Sequence, residues 1–346
     1  MTDPSTPRDG ESNGPDANAP DGDDPTGVNG DDGADGVDVA DSADDGTATT
    51  AGAPGGNPDA NSPAAGDPPD EPADDPGSVS DSTGIAVLAA LALSVGGVLV
   101  MVLATVGASF LTAPLSFSPG VQVGVSIAIA QYVGFIGVGL AYLRWRGFDW
   151  PGVVSYLGIR RPSLLELGLV IGGWVVIFGS AILISVLVQA LGAEPAANQS
   201  AEMAFDNPEI IPILILAMFL VVGPAEEVLF RGVVQGRLRE SMSAVPAIVI
   251  ASALFAAIHV VALTGGIEGR LITIAVLFAP SLVFGAVYEY TGNLVVPALL
   301  HGLHNSVLMT LIYIVATFGE DLEEFEELAG EGAATALATI APLIGF

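Results

Sequence analysis

Three apolar stretches of the chain carry polar side chains able to do chemistry. They are Glu226, Glu227 and Arg231 in E-E-V-L-F-R, Phe255 and His259 in F-A-A-I-H, and His301, His304 and Asn305 in H-G-L-H-N. All three histidines of the protein are among them. Glu227 and Arg231 stand four residues apart and can pair on one helix face, partly cancelling their charge. Phe255 with His259, and His301 with Asn305, share that spacing, so each pair projects together from its helix. His304 lies three residues from His301 but beside Asn305, and need not enter the same site. Glu226 is left as a carboxylate without a partner, with two histidines and one amide to converge on it.

A glutamate and a histidine that grip one water can make it a nucleophile, the carboxylate acting as general base. A second histidine and an asparagine can donate hydrogen bonds to the oxyanion of an attacked amide carbonyl. The combination points to amide hydrolysis inside a membrane. Glu226, His259 and His301 could instead hold a zinc ion with one position open to water. The metal-free reading is favoured, because no H-E-x-x-H is present and Asn305 suits an oxyanion better than a metal. Ser252 and Ser306 lack a Ser/His/Asp arrangement.

Blander readings stand beside this one. A Glu–Arg pair in a membrane is often structural, a single histidine often packs, and Phe255 is by default a core residue. Contributions from three separate helices at the same spacing weigh toward chemistry. A proton-coupled transporter is the main alternative, since buried Glu and His also relay protons. That alternative calls for broken helices and internal repeats, and the sequence holds no convincing repeat. A non-catalytic immunity or scaffold protein is a third.

The elements that must position these groups are membrane helices. The 346 residues include 39 acidic and 9 basic ones, a formal charge of −30, yet 51% of the chain is apolar. The two properties belong to different regions. Residues 1–83 hold 21 of the acids against Arg8 alone, together with 12 Pro and 13 Gly and no Leu, Ile, Phe, Tyr or Trp. Such a segment buries too little apolar surface to offset its ordering entropy and is expected to be a disordered tail. It also lacks the basic start and apolar stretch of a signal peptide. From residue 85 the runs 85–111, 121–143, 164–191, 210–238, 244–263, 271–290 and 294–318 are long enough to cross a bilayer, which takes about 20 helical residues. A shorter run, 333–346, is an eighth span or an interfacial helix.

The expected fold is therefore an all-α polytopic transmembrane bundle of seven or eight spans. Its divisions are the tail at 1–83, N-terminal spans within 84–200, a core at 201–318 and an acidic end with a short apolar helix at 319–346. Arg144, Arg146, Arg160, Arg161, Arg237 and Arg239 all fall on one side of this topology and Arg270 on the other. The arginine-rich side, with the tail, is expected in the cytoplasm. No lysine is present, and with the acidic excess this fits a haloarchaeal, salt-rich cytoplasm. The absence of cysteine excludes disulfides and thiolate chemistry. The absence of a basic face excludes nucleic acid as a partner. A peptide or membrane-protein substrate and the lipid bilayer remain.

E-E-x-x-x-R, F-x-x-x-H and H-x-x-x-N, each on its own membrane helix, resemble the CAAX-processing and bacteriocin-processing intramembrane proteases. That group includes the type II CAAX prenyl endopeptidases and the bacterial Abi proteins. The stretch T-G-N-L-V-V-P-A-L-L-H-G-L-H-N is especially similar to the family's final motif, and the likeness extends over about a third of the chain, near 210–311. The resemblance implies a membrane endopeptidase with a CAAX protease-like core. By similarity, Glu226 and His259 would activate the water, His301 and Asn305 would form the oxyanion hole, and Glu227 and Arg231 would support the site. The family is often classed with metalloproteases. An archaeal host need not carry prenylated CAAX proteins, so the family name does not by itself define a substrate.

Overall fold

Backbone polar groups in lipid have no partner but one another, so each apolar run winds into a helix. The computed structural model describes residues 82–329, with side chains to 319. Seven of its helices are long and apolar enough to cross a membrane: Thr83–Thr112, Pro119–Trp145, Leu164–Ala190, Pro208–Arg239, Ala244–Ala262, Ile267–Thr291 and Val295–Gly319. These first to seventh spans coincide with the seven expected runs to within a few residues. No strand occurs among the described residues, whose one isolated bridge joins Asn198 to Leu263. The chain is thus a multi-pass, all-α membrane protein. The expectations of a disordered tail and of an eighth span fall on 1–81 and 330–346, outside the described residues.

Local signals set the helix ends. Ser82 caps the first span, its hydroxyl accepting from the Ile85 amide at 3.4 Å. Ser163 and Glu166 form a capping box at the start of the third span, each side chain accepting from the other's backbone amide. Arg160 then grips the Glu166 carboxylate through two hydrogen bonds of 2.9 and 2.6 Å and donates to the Thr291 carbonyl at 3.0 Å. Gly292 closes the sixth span in the left-handed conformation, φ 56°. Gly158, also left-handed at φ 64°, packs so closely against it that a Cβ would strike the Gly292 carbonyl oxygen. Two short helices, Trp150–Tyr156 and Gln199–Asp206, lie between spans.

The fourth span is the axis of the bundle. Half of its most apolar window is buried, against 17–33% for the other spans. One apolar cluster joins it to the first, second and fifth spans through Leu93, Phe135, Leu229, Phe230, Ala251 and Phe255. A second cluster joins it to the seventh span through Ile211, Leu214, Met218, Met309 and Ile312. A third, of Val170, Ile177, Phe284, Val296 and Leu300, ties the third, sixth and seventh spans together. Large apolar side chains such as Leu88, Phe110, Leu164 and Leu183 face outward, as a lipid-facing surface requires.

One end of the bundle is polar. Glu240, just past the fourth span, accepts from Arg146 at 2.7 Å, Arg237 at 2.8 Å and Tyr156 at 2.9 Å, while Arg239 pairs with Glu289 at 2.9 Å. Burial opposes ionisation of Glu240. Hydrogen bonds from Arg146 and Tyr156 and the charges of Arg146 and Arg237 outweigh it, holding the carboxyl below its usual range. Burial, reinforced by the Glu240 charge, pushes the Tyr156 phenol up. A carboxyl with a lowered folded pKa stabilises the fold above its unfolded pKa, and that contribution disappears as pH falls through the folded value. Thermal unfolding in detergent, followed from neutral pH to about pH 3, is therefore expected to show a steeper acid decline for the native chain than for Glu240→Gln. Parallel curves would show that Glu240 contributes no such linkage.

Candidate active site

The fourth span does not wind uniformly. A π-helical stretch, Met218–Val222, leads into one α turn, Gly223–Glu227, and a second π-helical stretch, Val228–Gln235, follows. Such wide turns are rare and are found mostly at functional sites. Pro224 lacks a backbone N–H. Leu220, four residues earlier, has a carbonyl that accepts instead from the Tyr132 hydroxyl of the second span at 3.5 Å. The single α turn between the two wide ones carries Glu226 and Glu227, both buried.

Glu227 and Arg231 are 0% exposed, so neither charge has water to solvate it. Their pairing is direct, Nε to Oε2 at 3.0 Å. Arg231 also donates from Nη2 to Ser281 Oγ at 2.9 Å and lies over the rings of Phe255 and Phe284, 5.1 and 5.8 Å from their centroids. The other oxygen of Glu227 meets His301 Nδ1 of the seventh span at 3.0 Å. A carboxylate only accepts, so Nδ1 carries the proton and donates. His301 Nε2 then faces Glu226 Oε2 at 3.8 Å. The ring is fixed by Phe284 stacked on it, 4.6 Å and 17° between planes, and by the edge of Phe255 at 5.7 Å.

Close backbone approach makes these contacts reachable. A Cβ on Gly223 would lie 2.8 Å from the Gly302 amide nitrogen, and one on Gly302 would lie 2.9 Å from the Phe219 carbonyl oxygen. The fourth and seventh spans therefore touch backbone to backbone beside Glu226 and His301, a use of small residues common between membrane helices.

His259 stands where the fifth span tightens from α into a 3₁₀ turn, His259–Ala262. Its Nδ1 lies 2.7 Å from the Phe255 carbonyl oxygen, which can only accept, so Nδ1 donates and Nε2 of the neutral ring keeps its lone pair. The Phe255 ring touches both histidine rings, with centroids 4.7 Å from His259 and 5.7 Å from His301. It packs edge-on against Phe230 as well. Among the described residues no hydrogen bond or ion pair joins His259 to Glu226. Asn305, one turn beyond His301, is half-buried, and its side chain makes no hydrogen bond to another described residue. His304 is buried, and its Nδ1 has no partner among the described residues.

Glu226, Glu227, Arg231, His301 and Phe255 thus form one contact cluster, with His259 joined to it through Phe255. Glu226, expected to lack any partner, is approached by the amide nitrogen of Gln131 at 3.4 Å. Sequence reasoning missed Gln131, Ser281, Phe284 and the Gly223–Gly302 contact. For Gln131 a signal was available, since an amide in an apolar span is as anomalous as a carboxylate there. Among the described residues no three of His, Cys, Asp and Glu come together as metal ligands, the set Glu226, His259 and His301 included.

A helical bundle that spans the membrane and buries a glutamate–histidine cluster defines the class of this protein as a polytopic membrane protein with a polar site in its core. Residues 208–307 match the family model described as type II CAAX prenyl endopeptidase Rce1-like. The matched stretch runs from the start of the fourth span to just past Asn305, and in this part the chain is similar to the CAAX-processing protease family. The first three spans lie outside the match. No curated protein and no solved structure gives a significant match to the chain.

Proposed function

We propose that the protein is an intramembrane endopeptidase that hydrolyses a peptide bond with a glutamate-activated water. The observation that supports this most is the burial of Glu226 against His301, whose ring is held by the Glu227–Arg231 pair. In the proposed reaction Glu226 takes one proton from the water, which His259 Nε2 helps to orient, and the resulting hydroxide attacks the peptide carbonyl carbon. The carbonyl oxygen becomes an oxyanion held by His301 Nε2–H and the Asn305 amide. Glu226 then passes its proton to the departing amine as the C–N bond breaks. For Nε2 to donate while Nδ1 donates to Glu227, His301 must carry both protons. Glu226, Glu227, Arg231 and His301 together are then neutral, which suits a site removed from water. The finer CAAX-type specificity, for a substrate C-terminus delivered within the bilayer, belongs to the same proposal, as does placing the arginine-rich end in the cytoplasm.

The test is peptide cleavage by the full chain in lipid vesicles, using a fluorogenic prenylated CAAX-type peptide together with profiling of membrane-protein C-termini. Glu226→Ala, His259→Ala and His301→Ala are each expected to abolish cleavage while leaving the protein inserted and folded. Proton flux with no hydrolysis in either assay would favour a transporter instead. No metal enters these steps, so activity is expected to survive exhaustive chelation. Loss on chelation with recovery on stoichiometric zinc would overturn that part.

The glycine contact has its own consequence. Gly302→Val must push the seventh span from Phe219 and shift His301 relative to Glu226. A displacement of about 1 Å at a reacting group can cost on the order of a hundredfold in rate. Gly319, with nothing within 4 Å of its Cβ position, is the control. Gly319→Val is expected to cleave at the native rate, and equal rates in both variants would show that the close approach does not serve the site.

A further inference from the structure

We propose that Gln131, on the second span and outside the segment that matches the protease family, is a positioning residue of the site that orients Glu226. The inference rests on the proposed role of Glu226 as base. Gln131 Nε2 lies 3.4 Å from Glu226 Oε1, a contact that joins residues 95 apart in sequence. The orientation of the amide follows from its neighbour. A carboxylate accepts only, so the NH₂ group faces Glu226 and the carbonyl oxygen faces away. That carbonyl oxygen, Oε1, is buried and has no hydrogen-bond partner among the described residues. The residue as a whole is 9% exposed. Gln131 thus turns its NH₂ group to Glu226 and keeps one buried acceptor, unused.

An unused buried acceptor is unfavourable unless something donates to it. That cost is tolerable where the donor side of the amide fixes the Glu226 carboxylate in one orientation, aimed at the water it deprotonates, whose second proton is left to His259 Nε2. This is the geometry a general base needs and cannot impose alone. The backbone of the second span is shaped for the task. Gln131 ends an α-helical stretch, and the π-helical stretch Tyr132–Gly137 begins at the next residue. The wide turns of the fourth span likewise flank Glu226 and Glu227. Tyr132–Gly137 adjoins Gln131 and Val228–Gln235 adjoins Glu227, while Met218–Val222 adjoins the α turn that carries both glutamates. The second span is also locked in place. A Cβ on Gly134 would lie 2.7 Å from the Met101 Cα of the first span. Phe135 packs edge-on against Phe230, four residues from Glu226 in the fourth span. Gln131 is therefore held, not merely near.

The experiment compares the full native chain with Gln131→Leu, Glu226→Gln and a control, Gln122→Leu, whose parent amide bonds to Thr112. All are reconstituted in lipid nanodiscs. Infrared difference spectra between the native protein and Glu226→Gln isolate the carboxyl band of Glu226. Gln131→Leu is expected to shift that band, and Gln122→Leu to leave it in place. In cleavage of the prenylated CAAX-type peptide, Gln131→Leu is expected to lower kcat by about 10- to 100-fold with KM changed less than about twofold. Its unfolding midpoint should stay at or above the native value, because a half-satisfied buried amide gives way to a well-packed apolar side chain. An unmoved band overturns the proposal, as does a lowered midpoint with kcat intact, the mark of a merely structural residue. Cleavage retained in Glu226→Gln would refute the base itself, and the infrared arm would still decide whether Gln131 orients Glu226.

Discussion

Glu226→Gln is expected to lower kcat by about 10²–10⁴-fold, the range that general acid–base catalysis contributes, with little change in KM. The substitution preserves shape and removes only the ability to take a proton. Glu226 can bear it structurally, because it is the less committed of the two carboxylates. Its contacts are a 3.4 Å approach from Gln131 and a 3.8 Å approach from His301, and neither is a close ion pair. The unfolding midpoint should therefore stay near the native value. A rate within twofold of native would reject Glu226 as the base. A rate loss accompanied by collapse of the fold would point to a structural role.

Glu227→Ala is expected to act in the opposite order, on stability first. It strands Arg231, 0% exposed, without its carboxylate and removes the acceptor that holds His301 Nδ1. Breaking a buried pair by removing one partner costs about 3–5 kcal/mol, because the remaining charge is buried uncompensated. Ser281 Oγ, one neutral acceptor on Nη2, cannot replace it. Replacing both members separates the two roles. In Glu227→Met/Arg231→Met the stranded charge is gone, and stability is expected to return to within about 1–2 kcal/mol of native, since apolar replacements of buried pairs are often neutral or better. Activity is not expected to return, because His301 has lost its anchor. Denaturation in mixed micelles paired with cleavage assays reads both quantities. Recovery of cleavage in the double variant would show that Glu227 serves only to neutralise Arg231.

These two predictions differ because adjacent residues of one turn meet different neighbours, and nothing local to E-E distinguishes them. Their difference marks where the sequence stops being informative. The positions of all seven spans follow from the lengths of the apolar runs, since a helix in lipid must satisfy its own backbone and needs about 20 residues to cross. Contacts within one helix were equally legible. Glu227–Arg231 and Phe255–His259 are separated by four residues, and helical geometry alone brings them together.

Contacts between helices were not legible. Glu227 meets His301 across 74 residues and Gln131 meets Glu226 across 95. Periodicity says which residues share a face but not which helix that face meets, at what rotation or at what depth. Those choices are made by tertiary packing. The glycines of the fourth and seventh spans let two backbones touch, the π-helical stretches turn Gln131 and the two glutamates, and Phe284 stacks on His301 from the sixth span. The sequence by itself thus determined that this is a membrane bundle carrying glutamate and histidine in its interior. Only the tertiary structure decided that His301 is anchored on Glu227 and that Glu226 has an amide from the second span beside it. Such partners are selected by the relative register of whole helices, a property that no single segment of the chain contains.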